Sequence, residues 1–503
     1  EYYGPIYAGA IRGNPDSHAA AFISKWQPYI YKGKFVDLPK ITAQQLYDMS
    51  MAGPFTSGGM DGWSPVDYSI LPLDAFQWLA DLMNGIEEGM EWPEELEHGK
   101  SAFLCKKSEP SCELDDYRCL LVLPVVDRKW AKARLAALAP WISEWECEEL
   151  FAGIPGRGAE DAWWTTSLQI EHCMMFGKKV TGGAVDLKKC FDRINRSIVK
   201  MVLLAAGVPV AVVDAYIRYH DNLWVYNSLA GGIGKAYRKP FSIPQGCPLS
   251  MCIISILLRP IIKYMEVNYP RQLLMRVNPR VLADDLFLYA HGPGHLNAFL
   301  GAFSSMHEFL HDTGSIINPA KSILFSSDGE IRKYLAAYVW PRINETITVV
   351  VHFRDLGAYI NVSCRNVGIT LSDRIKRAIP KINMIGYMKV AQAVKLRLIT
   401  TAVYSSAFYG CEASYVDESL LGKLTTAVAN IMGPHSARIC LALVFGMNNH
   451  NAKEMDPTAV ICMRRFNLCR RICAKYPSCY PLVQDLMDFY TYASFPGTVE
   501  HIL

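Results

Sequence analysis

The chain has 503 residues, of which 51% are apolar and 20% charged, with 51 Lys and Arg against 48 Asp and Glu for a net charge of +3. That length exceeds one compact core and predicts three or four domains or subdomains, and the composition excludes a disordered chain. A charge of +3 also excludes a uniformly basic surface, so any contact with polyanions must come from local faces.

The first sixty residues are rich in aromatics, Gly and Pro with little periodicity, and predict an extension that wraps another domain. Gly58-Gly59-Met60-Asp61-Gly62 is a turn signal. Leu73 to Met83 has helical spacing. Leu120 to Val126 reads as a strand, and Trp130 to Leu138 as helix. Val180 to Phe191 begins as a strand and turns into a helix that carries Ile198, Met201 and Val202. Cys247 to Leu258 is the longest apolar run; it is too short for a membrane span, is closed by Arg259 and Pro260, and reads as a buried helix. Val281 to Tyr289 is a second core segment, Ile347 to Val351 is β-rich, and the pattern beyond about residue 366 is helical throughout.

Basic residues cluster in two stretches. Arg365, Arg374, Lys376, Arg377, Lys381, Lys389, Lys395 and Arg397 stand against one acid, Asp373; Arg464, Arg465, Arg470, Arg471 and Lys475 stand against none between Ile461 and Tyr480. Each reads as a phosphate-binding face or as a solvated helix face. The fifteen cysteines form no CxxC pair. Cys105, Cys112 and Cys119 are evenly spaced. Cys462, Cys469, Cys473 and Cys479 cluster near the end and read as buried free thiols ahead of a metal site. His435 and His450 read as surface histidines. With no secretory leader in view, the expected location is intracellular, nuclear or cytoplasmic, with no membrane partner. A first residue of Glu1 suggests a piece of a longer product.

Two segments break the rule that core strands are apolar: Gly-Ala-Val-Asp186-Leu-Lys-Lys-Cys-Phe191, and Val281-Leu-Ala-Asp284-Asp285-Leu-Phe-Leu-Tyr289. A carboxylate at the end of a buried strand is costly unless paired or bound to metal. A lone Asp-Asp pair reads as salt-bridged. Two such motifs together fit phosphoryl transfer by carboxylates that hold divalent cations.

In this order the motifs resemble those of reverse transcriptases, and within them the non-LTR (LINE-like) retrotransposon group. Asp186 with Phe191 five residues on is similar to the first palm motif, Ile243-Pro244-Gln245-Gly246-Cys247-Pro248-Leu249-Ser250 to the second, and Leu282-Ala283-Asp284-Asp285 to the third, with Leu282 where most relatives have an aromatic. Gly314 to Ser322, with Asn318-Pro319 and Lys321, resembles the fourth, and Phe353-Arg354-Asp355-Leu356-Gly357 the turn that grips the primer end. Phe151 to Arg157, followed by Glu160-Asp161, resembles the template-side motif. Tyr409-Gly410-Cys411-Glu412 resembles a pattern found after the thumb. The match runs over about residues 55–435.

The resemblance implies an α+β right-hand polymerase fold. An N-terminal extension covers 1–60, fingers 61–179, and a palm with an antiparallel sheet and helices 180–365, with a fingers insertion near 205–240. A helical basic thumb covers 366–435, and a C-terminal helical region, a candidate nucleic-acid contact, 436–503. It implies RNA-directed DNA synthesis from dNTPs on an RNA template and a DNA primer. Two Mg²⁺ ions, with Mn²⁺ as the alternative, are held by Asp186, Asp284 and Asp285, Asp285 being the most tolerant of change. Lys321 is a candidate proton donor to pyrophosphate. Arg118 and Lys129, with Lys106 and Lys107 as weaker additions, are candidate triphosphate ligands. Phe191 is a sugar gate, and Gln245 and Gly246 bring amide and backbone to the nucleotide. Taken singly, Phe191 also reads as core, Arg118 as a surface arginine and Lys321 as a charged loop. Two other readings of the chain are a decayed reverse-transcriptase fold that only binds RNA as a scaffold, and a related RNA polymerase or maturase. Phe191 speaks against ribonucleotide use, and the retained acids speak against the scaffold.

Overall fold

The computed structural model describes residues 14–53, 56–106, 111, 113, 116–229, 231–270, 276–363, 368–434, 436, 438–446 and 452–492. Lys107, Cys112, Arg365, His435 and His450 lie outside them.

The described chain starts with a helix that the composition of the first sixty residues hides. Helix α1 (Pro15–Trp26) starts on Asn14, whose side chain accepts from the Asp16 N–H, with proline at the first position. Its last turn is anchored from outside: Lys25 pairs with Glu308 and Asp312 at 2.7 Å each, and the Trp26 ring meets Phe309 edge-on at 4.8 Å. The chain then crosses residues 205–207, where Gly33 donates to the Ala205 carbonyl and Val36 to the Gly207 carbonyl. The two backbones approach so closely that a Cβ at Gly207 would fall on the Lys34 carbonyl. Helix α2 (Leu73–Glu87) buries Phe76, Ala80, Met83 and Ile86.

The first sheet joins β1 (His98–Cys105), antiparallel β2 (Tyr117–Val122) and, parallel to β1, β4 (Trp224–Leu229), with β5 (Gly232–Ile233) and β6 (Tyr237–Arg238) on β4. The segment near 205–240 thus folds onto strands from much earlier in the chain. The strand expected over 120–126 overran. Pro124 stands at its end with φ −51°, and Val125 and Val126 already belong to helix α3 (Val125–Ala137).

The central sheet has the order β10-β9-β3-β8-β7: β3 (Val180–Val185) lies between antiparallel β8 (Asp285–His291) and β9 (Ile323–Ser326), β7 (Arg276–Leu282) pairs β8, and β10 (Thr348–Val350) runs parallel to β9. Gly182 and Gly183 in β3 leave room for the Phe325, Tyr289 and Leu324 side chains, on which a Cβ would fall. Helix α4 (Ala159–Met175) precedes the sheet. After β3 come a short α5 (Cys190–Arg193), then α6 (Arg196–Ala205) and α7 (Val210–Asn222). Helix α8 (Ser250–Asn268) and α9 (His295–Asp312) follow. α8 does not stop at Arg259-Pro260 as expected. Pro260 removes one N–H, yet Ile261, Ile262 and Met265 continue the buried face. A separate hairpin pairs β11 (His352–Asp355) with β12 (Ala358–Asn361).

From residue 369 the described chain is helical. α10 (Ile369–Tyr387) and α11 (Glu418–Met432) share a second core around Leu371, Ile375, Leu424 and Val428. Helices α12 (Pro457–Lys475) and α13 (Tyr480–Tyr492) fold back onto α4: Leu468, Ile472, Tyr476 and Leu486 pack with Trp163, Trp164 and Leu168. Helices and sheets are thus segregated in the manner of an α+β protein. No described helix is long and apolar enough to cross a membrane.

Candidate functional site

The three acids come together at one end of the central sheet. The β3–β8 register runs Val180↔His291 to Val185↔Leu286, so the next step sets Asp186 opposite Asp285. β7 and β8 close through a two-residue turn, Ala283-Asp284, between the paired Leu282 and Asp285. Ala283 sits at φ +54°, a left-handed conformation that glycine would adopt more easily.

Crowding the acids together has an electrostatic consequence. Burial pushes the Asp284 carboxyl up, the Asp186 charge adds to the rise, and Arg118 and Lys106 oppose it. Asp285 is exposed in area, yet the protein mass around it, then Asp284, Asp355 and Asp186, push its carboxyl up to about 6, with Arg280 opposing. Among the described residues no three His, Cys, Asp or Glu side chains form a ready-made metal cage by themselves. The donors are hard oxygens. Mg²⁺ typically takes one or two protein carboxylates and completes its shell with water and phosphate, and on that chemistry Asp186 and Asp284 fit it.

Arg118, on β2 opposite Leu104, is exposed and close enough for Asp284 to feel its charge, as it feels that of Lys106. Lys129 is not brought to this corner. It lies on α3 with 8% exposure, donates to the Ser50 hydroxyl, and sits 5.1 Å from the Tyr68 ring centroid. Burial, then the Lys132 and Arg128 charges, lower its pKa to about 8. The triphosphate role expected of it is therefore withdrawn, because its ammonium is used inside the N-terminal packing.

Phe191 is 6% exposed within the main core, and its carbonyl accepts from Ile243 N–H at 2.8 Å. The Pro244-Gln245-Gly246 loop also docks on the first sheet: Leu121 N–H donates to the Gln245 carbonyl at 3.0 Å. Gly246 has φ +143°, and a Cβ there would fall on the Leu121 carbonyl oxygen. The close approach expected of Gly246 is thus made to β2, a protein strand. Lys321 is exposed, whereas Asn318 and Ser322 in the same turn touch Asp186: Asn318 Nδ2 donates to Asp186 Oδ2 at 2.9 Å, and the Asp186 N–H donates to Ser322 Oγ at 3.1 Å.

Arg280, which no motif singled out, completes the corner. Arg280 on β7 forms a buried two-pronged pair with Asp355 at 2.5 and 2.8 Å, four residues before Asp284. Asp355 ends β11, whose tight turn has both central residues left-handed, Leu356 at φ +47° and Gly357 at φ +89°. The expected primer-gripping turn is thus bolted to the acidic hairpin. A cation inside an apolar strand was the available signal for Arg280. The Tyr409 hydroxyl donates to the Leu356 carbonyl, and Arg374 on α10 donates to the Tyr409 carbonyl, tying the same turn to the helical region.

Of the C-terminal cations, Arg464 pairs with Glu412 at 2.7 Å and Arg471 with Glu160 and Asp161 at 3.1 Å, while Lys475 pairs with Asp161. Arg465 is buried against the Cys411 and Ser414 carbonyls. Of the basic face expected on residues 461–480, Arg465 is buried and Arg464 and Lys475 are half-buried in their pairs, while Arg470 and Arg471 stay exposed. Cys462, Cys469, Cys473 and Cys479 are free thiols, with Cys462 exposed and Cys479 buried.

No curated protein matches the chain. The family model for reverse transcriptase (RNA-dependent DNA polymerase) matches residues 105–369, which is 265 of the 503 residues and includes all three acids, the Pro244-Gln245-Gly246 loop and the Arg280–Asp355 pair. The chain belongs to the reverse transcriptase (RNA-dependent DNA polymerase) family.

Proposed function

We propose that this chain is the polymerase portion of a LINE-like, non-LTR retroelement protein and extends a DNA primer on an RNA template with dNTPs. The observation that carries the proposal is the meeting of Asp186 and Asp284 at the β3 and β7–β8 ends, with the Arg118 and Lys106 charges felt at Asp284. In right-hand terms the first sheet and its helices (61–179, with the insertion near 205–240) are the fingers, the central sheet (180–365) the palm, and α10 and α11 (366–435) the thumb.

Asp186 and Asp284 would hold the divalent cations, with Asp285 assisting. Bound there, two Mg²⁺ ions (or Mn²⁺) supply acidification of the primer 3′-hydroxyl and neutralisation of triphosphate charge. The protein's own part is positioning. Arg118 offers its planar fork to phosphate oxygens, and Lys106 adds charge on the same side. Phe191 closes the space that a ribose 2′-hydroxyl would need. Gln245 presents its side chain from a loop whose backbone is fixed to β2. Lys321 remains the candidate proton donor to departing pyrophosphate, acting from an exposed position.

Primer extension on an RNA template with dNTPs and Mg²⁺ tests the reading. DNA synthesis by the wild-type chain is expected. A folded chain that binds the template and extends nothing is the outcome that replaces the enzyme with an RNA-binding scaffold.

A further inference from the structure

The central sheet is irregular opposite Asp186. β3 pairs with β9 as far as Ala184↔Ile323, and pairing resumes at the bridge Leu187↔Ile317. Two residues on one side, Val185 and Asp186, therefore face five on the other, 318–322. Bulges of this kind re-aim side chains beside functional sites. Here the surplus closes into a tight turn, in which the Asn318 carbonyl accepts from the Lys321 N–H at 3.2 Å, the Ser322 N–H at 2.9 Å and the Ser322 hydroxyl at 2.8 Å.

The turn grips Asp186 at three atoms. Asn318 N–H donates to the Asp186 carbonyl at 2.8 Å, the Asp186 N–H donates to Ser322 Oγ at 3.1 Å, and Asn318 Nδ2 donates to carboxylate Oδ2 at 2.9 Å. Ser322 is fully buried. Oδ1 is left as the carboxylate oxygen to which no described side chain donates. An amide donor fixes Oδ2 without adding a charge that would compete with a cation. The one cation of the turn, Lys321, is exposed.

We propose that Asn318 and Ser322 are positioning residues that hold the Asp186 carboxylate so that Oδ1 faces a divalent cation. The proposal rests on the polymerase reading of the site. Hydrogen bonds behind a ligating carboxylate set its orientation, and their loss costs about 10- to 100-fold in metal affinity or activity.

The test uses the full chain and Mn²⁺ alone. Calorimetry measures Mn²⁺ binding without nucleic acid or dNTP, thermal melting reports folding, and the Mg²⁺ dependence of primer extension is read in parallel. Asn318→Ala is expected to weaken Mn²⁺ binding on the order of 10-fold and to raise the half-saturating Mg²⁺ concentration similarly, with KM for dNTP little changed. Asn318→Ser, which keeps a short polar group in the turn, covers the case in which alanine unfolds the loop, and is expected to bind Mn²⁺ more weakly than wild type. Ser322→Ala is expected to shift the Mg²⁺ dependence, and Ser322→Thr to restore it. Folded Asn318 variants with wild-type Mn²⁺ affinity overturn the proposal. So does a loss of activity that tracks melting temperature alone. A wild-type chain that extends a primer but binds no Mn²⁺ also overturns the proposal, whereas failure of the wild-type chain to extend a primer overturns the polymerase reading itself.

Discussion

Asp127 shows what a single misfit residue costs. It is 1% exposed, neither carboxylate oxygen has a hydrogen-bond partner among the described residues, and burial pushes its pKa up to about 8 against the opposing charge of Arg128. The folded state therefore binds more protons here than the unfolded state between about pH 4 and 8, so this residue's contribution to stability is lost as pH rises through that window. Asp127→Asn should raise the melting temperature by on the order of a few °C at pH 8 and by almost nothing at pH 4. An equal gain at both pH values would contradict the assignment. Phe191 gives a second prediction. Phe191→Ala should increase ribonucleotide incorporation while costing roughly 3–5 kcal/mol of stability, because the ring is also core. Unchanged sugar selectivity in primer extension removes the gate. At this scale Asp186 and Asp284 were legible because an acid in an apolar strand violates the pattern of its own element. Lys129 and the Asn318–Ser322 pair were not. Helical periodicity does not say which neighbour a buried lysine meets, and a turn beside a charged Lys321 draws the eye to the charge.

Elements were legible where one period dominated. The α2 spacing and the helical region from residue 369 follow from their patterns, whereas the core segment Val281 to Tyr289 divides into β7 and β8 at the Ala283-Asp284 turn. Boundaries failed where a local rule was outweighed. Pro124 turned an apparent strand into the start of α3, and continued burial carried α8 through Pro260. The Arg280–Asp355 pair, both partners under 9% exposed, joins two hairpins that are far apart in sequence, so no local pattern could announce it. Removing one partner leaves a buried charge. Arg280→Met is expected to cost about 3–5 kcal/mol in denaturant unfolding, and Arg280→Met with Asp355→Leu to recover most of it. A double variant no better than the single one would mean that the pair does more than satisfy itself.

Across the whole molecule, charge is sorted in a way that the net value of +3 conceals. On α12, Arg464, Arg471 and Lys475 meet Glu160, Asp161 and Glu412 and strap the C-terminal helices to α4 and to the stretch after Tyr409. On α10, Arg377 and Lys381 are exposed one turn apart, with no acid paired to either in the described residues. Template binding should therefore depend on salt through α10. Arg377→Ala with Lys381→Ala is expected to lower the slope of log K against log salt by roughly one to two. An unchanged slope would place the polyanion elsewhere. The sequence could count both basic stretches but not the acids awaiting one of them, since Glu160 and Glu412 lie some fifty to three hundred residues from their partners.

Whether Asp186 and Asp284 act together in DNA synthesis is tested most directly by primer extension with Asp284→Ala beside template binding by the same protein. Extension is expected to fall by at least about 1,000-fold, as when a transition-state interaction of several kcal/mol is lost, while template affinity stays within about 3-fold, a change under 1 kcal/mol. Template binding lost in step with extension, or extension retained, would contradict that joint action.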